Sequence, residues 1–259
     1  MISRCLTIAT SDSGGGAGIQ ADLKAFAAAG VYGTTALVAL TAQSTTAVTA
    51  VHELPPDFIR AQLDAIFGDI GVDAAKTGML FSRTIIETVA EFLERHPVPL
   101  VVDPVLIASS GAKLLQDDAV ETLIRTLFPL ATVVTPNLPE AELLTGMPGA
   151  PRRELAERLV ELGAPAALVT GGHGKSAVDH LFDGSGHMEL PVERHPVAAT
   201  HGAGCTHSAT IAALLARGLP LVEAARAGQV AASEAVRNGL VEIGAGEGPV
   251  DVLNRKGTA

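Results

Sequence analysis

The stretch Thr200, His201, Gly202, Ala203, Gly204, Cys205, Thr206 joins a glycine-rich turn to the first residues of an alanine-rich helix. A helix starts with unsatisfied backbone N–H groups and a partial positive charge, and glycines let those groups approach a phosphate without a Cβ in the way. Gly202, Ala203 and Gly204 therefore read as a phosphate cradle, with the sulfur of Cys205 directed into the same pocket. The same residues would also serve as a plain glycine-capped helix start. His201, Cys205 and His207 imitate a metal set, but a turn running into a helix spreads them, and no fourth ligand is apparent.

Other polar residues stand where short apolar runs end. Asp103, followed by Pro104, would project a carboxylate from the edge of a sheet, or cap a turn there. Thr135, Pro136, Asn137, Leu138, Pro139 and Glu140 form a turn fixed by two prolines, in which Asn137 and Glu140 can face one cleft. Glu140 has two uses: it can hold hydrated Mg²⁺, which takes few protein ligands, or be a first-turn acid favoured by a helix dipole. Gly171 and Gly172 would add backbone amides. These groups supply what phosphoryl transfer asks for: fixed donors, a metal and positioning. Nearer the N-terminus, Asp12, Gly14, Gly15, Gly16, Asp22, Gln43, Lys76 and Met79 lie at or just after strand ends and could line the acceptor side. Asp22 and Gln43 offer hydrogen bonds to a heterocycle, and Met79 an adaptable apolar face. Asp22 as a helix-surface acid and Met79 as ordinary core are the plainer alternatives.

The elements that must position these residues alternate between brief β-branched runs and longer helical patterns, the mark of a parallel sheet covered by helices on both faces. Strands are expected at Cys5 to Ala9, Thr34 to Thr41, Thr46 to His52, Ala74 to Lys76, Leu100 to Asp103, Thr132 to Thr135 and Ala166 to Thr170. Helices are expected at Ile19 to Ala29, Pro56 to Phe67, Ser82 to Arg95, Gly204 to Arg217 and Leu221 to Asn238, and a short antiparallel edge within Ser176 to Leu190. Ligands of such sheets bind at the carboxyl ends of the strands, which gives the turn residues their functional weight.

The 259 residues contain no linker or charge block, so one α/β domain over 1–259 is expected. A net charge of −10, one Tyr and no Trp argue against a nucleic-acid surface and for a small-molecule partner. Two cysteines, Cys5 and Cys205, make neither a disulfide framework nor a zinc spacing, and the N-terminus lacks a signal-peptide core, so a cytoplasmic, non-membrane protein is expected. Two familiar loops fail on spacing. Gly14 to Ala21 imitates a dinucleotide fingerprint, but no Asp or Glu lies between Asp22 and Glu53, and Gly171 to Ser176 lacks the leading glycine of a P-loop.

Taken together, SDSGGGAGIQAD from Ser11, LTAQST from Leu40, KTGML from Lys76, TPNLPEAELL from Thr135 and THGAGCT from Thr200 resemble the bacterial hydroxymethylpyrimidine and phosphomethylpyrimidine kinases of thiamine biosynthesis, within the ribokinase-like superfamily. The likeness covers nearly the whole chain. It implies a three-layer α/β/α sandwich with a mostly parallel central sheet and a small antiparallel edge, working as a homodimer. It also implies Mg·ATP-dependent phosphorylation of 4-amino-5-hydroxymethyl-2-methylpyrimidine and then of its monophosphate. By that resemblance Asp22, Gln43, Met79, Val105 and Gly16 take the pyrimidine, and Asp103 and Glu140 organise Mg²⁺. Asn137, Thr170, Gly172 and His201 fall on the nucleotide side, and Gly202 to Cys205 hold the transferring phosphoryl group.

Sugar kinases of the superfamily carry an aspartate where Cys205 stands. A neutral thiol would spare an ionised phosphate acceptor the repulsion of a carboxylate. At a helix N-terminus its pKa is also expected to fall, enough to take the proton of an alcohol. Two departures stand out: relatives have Lys at the position of Thr170, and often Gly at that of Thr10. Lys175 is the nearby candidate to replace the first, and Ser109 to Gly111 the candidate lid. The rival readings are a pyridoxal or pyridoxine kinase and a non-catalytic pyrimidine-binding protein on the same fold.

Overall fold

Along the first strand, β1 (Arg4–Asp12), Leu6 and Ile8 point to one face of a sheet while Cys5 and Thr7 point to the other. That period of two decides where every later site residue faces. In the computed structural model, which describes residues 1–106, 117–172 and 177–255, the remaining strands are β2 (Tyr32–Gln43), β3 (Val48–Glu53), β4 (Ala74–Thr77), β5 (Leu100–Val102), β6 (Val133–Val134), β7 (Ala167–Val169), β8 (Val178–Phe182) and β9 (His187–Pro191). All nine join one sheet in the order β3-β2-β1-β4-β5-β6-β7-β8-β9. The block from β2 to β7 is parallel, whereas β3, β8 and β9 run antiparallel to their neighbours. The antiparallel part thus occupies both edges rather than one.

Helices cover the two faces. On one lie α1 (Gly18–Ala28), α7 (Ala203–Ala216) and α8 (Leu221–Arg237), packed on Cys5, Ala74, Val101, Val133 and Leu168. On the other lie α2 (Pro56–Ala65), α3 (Arg83–Arg95), α4 (Asp117–Thr126), α5 (Leu138–Thr145) and α6 (Arg152–Glu161), packed on Leu6, Ile8, Ala75, Val102 and Val169. Each fully buried Leu, Ile or Val contributes roughly 1.5–3 kcal/mol, so this three-layer core is what fixes the strand ends. No helix among the described residues is long and apolar enough to cross a membrane.

From β1 the chain passes through α1 to β2 on one side, then returns so that β4 lies on the other side of β1. That reversal is a topological switch point, and it opens a crevice outside the carboxyl ends of β1 and β4. A bulge between Ala9 and Ser11 extends β1 beyond the expected Ala9, as far as Asp12. Thr10 bridges the switch: its amide and hydroxyl both donate to the Met79 carbonyl, at 3.2 and 3.0 Å.

Candidate active site

The crevice widens into a cavity of about 720 Å³ that runs along the sheet's carboxyl edge to β8 and α8. Gln43, Met79 and Val105 line one end, and Asp179, His207 and Gln229 the other. Cys205 and the Gly202 to Gly204 turn also line the cavity.

Beneath the first end lies a buried charge network built by alternation. Lys76 is in register with Thr7 and faces the α1 and α7 layer, between Ala75 and Thr77, which do not. Its Nζ is 2.7 Å from Asp22 Oδ1 and 3.5 Å from Asp103 Oδ2. Thr7 donates to Asp22 Oδ2 at 2.6 Å, and Ser208 of α7 donates to Asp103 Oδ2 at 2.8 Å. Burial works against the Lys76 ammonium, but Asp22, Cys205 and Asp103 outweigh it, so the lysine stays charged above its ordinary value.

Two residues expected at the pyrimidine are tied to other parts of the protein. Asp22, expected at the pyrimidine, is fully buried and does not line the cavity; the sheet's period of two has spent its carboxylate on Lys76, which does line it. Gly16 does not line it either, because its amide donates to Asp12 Oδ2 at 3.0 Å and its backbone packs under the His201 ring. His201, expected on the nucleotide side, lines the cavity but also bonds Asp12 Oδ2 through Nε2, at 3.1 Å. Burial raises the Asp12 carboxyl, yet His201 and the Ala17 and Gly14 amides more than offset this and hold it below its usual range. Asp12 is therefore the organiser of the glycine loop, and His201 ties that loop to the turn before α7.

That turn needs glycine. Gly202 has φ +85°, and a Cβ there would run into the Gly16 carbonyl. With this conformation α7 begins at Ala203, whose amide donates to the Thr200 carbonyl at 3.1 Å, and Gly204 and Cys205 follow along the cavity wall. Cys205 is half-buried, yet its thiol is pushed up to about 12. Burial is the main cause; Lys76 and the Gly18 amide oppose it, while Asp103 and Asp22 add to it. The expected fall at a helix N-terminus is reversed, because two buried carboxylates and desolvation outweigh one helix end.

Asn137 and Glu140 form a capping box on α5: Asn137 Oδ1 accepts from the Glu140 amide at 3.0 Å, and Glu140 Oε2 accepts from the Asn137 amide at 2.9 Å. The plainer reading of Glu140 as a first-turn acid is thus realised, but the side chain also lines the cavity, 4% exposed. Burial, and after it Asp103, raises its carboxyl to about 8. Two close carboxylates that repel one another in a cavity make a setting that a divalent cation relieves.

Thr170 and Gly172 line the cavity beyond Asn137. The Thr170 amide donates to Pro136, and its carbonyl accepts from Arg152 Nε at 3.3 Å. Lys175 and the Ser109 to Gly111 loop lie outside the described residues. His207, named in the sequence only as part of an imitated metal set, lines the cavity one helical turn after the glycine turn.

The sequence matches the family model described as phosphomethylpyrimidine kinase over residues 12–251. A hydroxymethylpyrimidine/phosphomethylpyrimidine kinase of Rhizobium meliloti is 48% identical, over 98% of both chains. One from Bacillus subtilis is 44% identical, over 96% of this chain and 94% of its own. Among solved structures, a Bacillus subtilis pyridoxal kinase in complex with ADP superposes with a TM-score of 0.91 at 38% identity, covering 99% of each chain. A phosphomethylpyrimidine kinase from Clostridium difficile gives 0.81 at 41% identity, covering 91% of this chain and all of its own.

Proposed function

The chain belongs to the phosphomethylpyrimidine kinase family, and we propose that its cavity transfers the γ-phosphoryl group of ATP to 4-amino-5-hydroxymethyl-2-methylpyrimidine and then to the resulting monophosphate. The observation that carries this reading is the juxtaposition, in one cavity, of a ring-sized acceptor end at Gln43, Met79 and Val105 with the amide-rich start of α7.

In this reading Gln43 offers its amide to the polar edge of the pyrimidine, and Met79 and Val105 pack on the ring. Lys76 faces the oxygen that accepts the phosphoryl group, held there by Asp22, Thr7 and Asp103. Its charge offsets the acceptor phosphate in the second step. The Gly202 to Cys205 turn receives the transferring group, with the Gly204 and Cys205 amides as its donors, and Thr170 and Gly172 belong to the nucleotide's side. Asp103 and Glu140 would hold Mg²⁺, which supplies charge neutralisation to the phosphates. Cys205 keeps its proton in both steps, as a neutral wall beside an anionic acceptor rather than a base, and in the first step the alcohol's proton passes to an oxygen of the transferring phosphoryl group. A loose transition state, with little bonding to the nucleophile, asks for little base catalysis from the protein. We also place the working enzyme as a cytoplasmic homodimer formed of one domain per chain.

Pyridoxal is the second reading, favoured by the full-length overlay on the Bacillus subtilis pyridoxal kinase. Coupled ADP-release assays with the hydroxymethylpyrimidine, its monophosphate and pyridoxal separate the two. The proposal expects turnover of both pyrimidines, with pyridoxal a poorer acceptor by kcat/KM. Turnover of pyridoxal alone would replace it, and binding of the pyrimidine without ADP release would make the chain a non-catalytic binder.

A further inference from the structure

His207 is 5% exposed and lines the cavity, yet its Nε2 has no hydrogen-bond partner. Native proteins rarely leave a buried ring nitrogen unpaired, because the unmade bond costs roughly 1–3 kcal/mol. The nearest acceptor is Asp179 Oδ2, 3.8 Å away, too far for a direct bond. Asp179 is itself 2% exposed and lines the cavity, and its other oxygen already accepts the Gly171 amide at 2.5 Å. The imidazole is backed by α8, where Gly228 leaves no Cβ between the helix and the ring. Gln229, on the same helix, lines the cavity beside it.

A hydroxyl is the group that fits this gap. It can accept from an imidazole N–H and donate to a carboxylate at once, and an oxygen within hydrogen-bond reach of two atoms spans a separation of this size. The apolar wall nearby, Val192, Ala232 and Val236, offers nothing to a hydroxyl but suits the face of a base.

We infer that His207 and Asp179 form a sugar-reading pair, which takes a ribose hydroxyl of the nucleotide between Nε2 and Oδ2. Because Nε2 is itself buried, taking that hydroxyl requires the imidazole to turn about its Cβ–Cγ bond. The inference rests on the reading of this end of the cavity as the nucleotide's.

The test measures KM for ATP, 2′-deoxy-ATP and 3′-deoxy-ATP, and KM for the pyrimidine, in the native enzyme and in His207→Leu and His207→Gln. Native enzyme should disfavour one deoxy analogue by about tenfold, the worth of a hydrogen bond to a charged group. In His207→Leu the KM for ATP should rise about as much and the discrimination should vanish. His207→Gln, whose amide reaches a similar point, should recover part of it. Equal use of ATP and both deoxy analogues by the native enzyme overturns the inference, with no variant needed. So does a discrimination that survives His207→Leu. If instead His207→Leu moves only the pyrimidine KM, the two ends of the cavity have been assigned the wrong way round, and the underlying reading fails.

Discussion

The two ends of the cavity differ in how their polar groups are paired. At the pyrimidine end the buried charges have protein partners: Lys76 lies between Asp22 and Asp103, Thr7 donates to the Asp22 oxygen turned away from the lysine, and Ser208 donates to the Asp103 oxygen that faces it. At the far end His207 and Asp179 stand 3.8 Å apart with Nε2 unbonded. One region is set before any ligand arrives; the other is completed by it. A set region costs stability when disturbed, whereas an incomplete one costs affinity.

The sharpest way to break the comparison is Lys76→Met, which strands two buried carboxylates. Urea unfolding should show a loss of about 3–5 kcal/mol. Adding Asp22→Asn should recover part of that stability and none of the activity. A loss within 1 kcal/mol would mean that the network is not preset at all. Next in size is the reactivity of Cys205. A thiol raised to about 12 is almost wholly protonated at pH 7–9, because a higher pKa leaves less thiolate at a given pH. Its alkylation by iodoacetamide should run about a hundredfold slower than that of an exposed cysteine. It should climb about tenfold per pH unit through pH 10, without levelling near 9; an inflection below 8 would restore the cysteine as a base.

Cys205→Asp asks whether charge is what the acceptor end avoids. It should slow the second phosphorylation at least tenfold more than the first, since a carboxylate a few ångströms from a phosphate repels it by several kcal/mol at an effective dielectric of about 20. Equal slowing of the two steps would remove the repulsion argument. The smallest effect belongs to the far end: Thr170→Lys should lower KM for ATP about threefold and leave the pyrimidine KM unchanged. A larger gain would show that this end lacks a charge as well as a ligand.

Sequence legibility followed the same division. The strands were readable because short β-branched runs such as Leu100–Val102 sit between turn residues, and α7 because an alanine-rich run follows glycines. Helices α4, α5 and α6 went unread. For α5 the signal was present, in the spacing of Asn137 and Glu140 that makes a capping box, but two prolines made the stretch read as a turn. For α6 the apolar stripe is only Leu155, Ala156 and Leu159 in a highly charged segment. The lysine network was invisible because Lys76 and Asp22 lie 54 residues apart, and only the strand register brings them together. Asp22 therefore shows its polarity in the sequence but not its tie to Lys76. His207 figured only in a metal set that failed on geometry: an unpaired nitrogen is a property of packing, not of spacing.

The bond between His201 and Asp12 joins residues 189 apart, and the His201 backbone also pairs with Gly248 and Val250. Translation runs from the N-terminus, so the glycine loop emerges 189 residues before the histidine that clamps it. A nascent chain can hold every strand from β1 to β9 and still lack the clamp on its catalytic turn, because His201 follows the last of them.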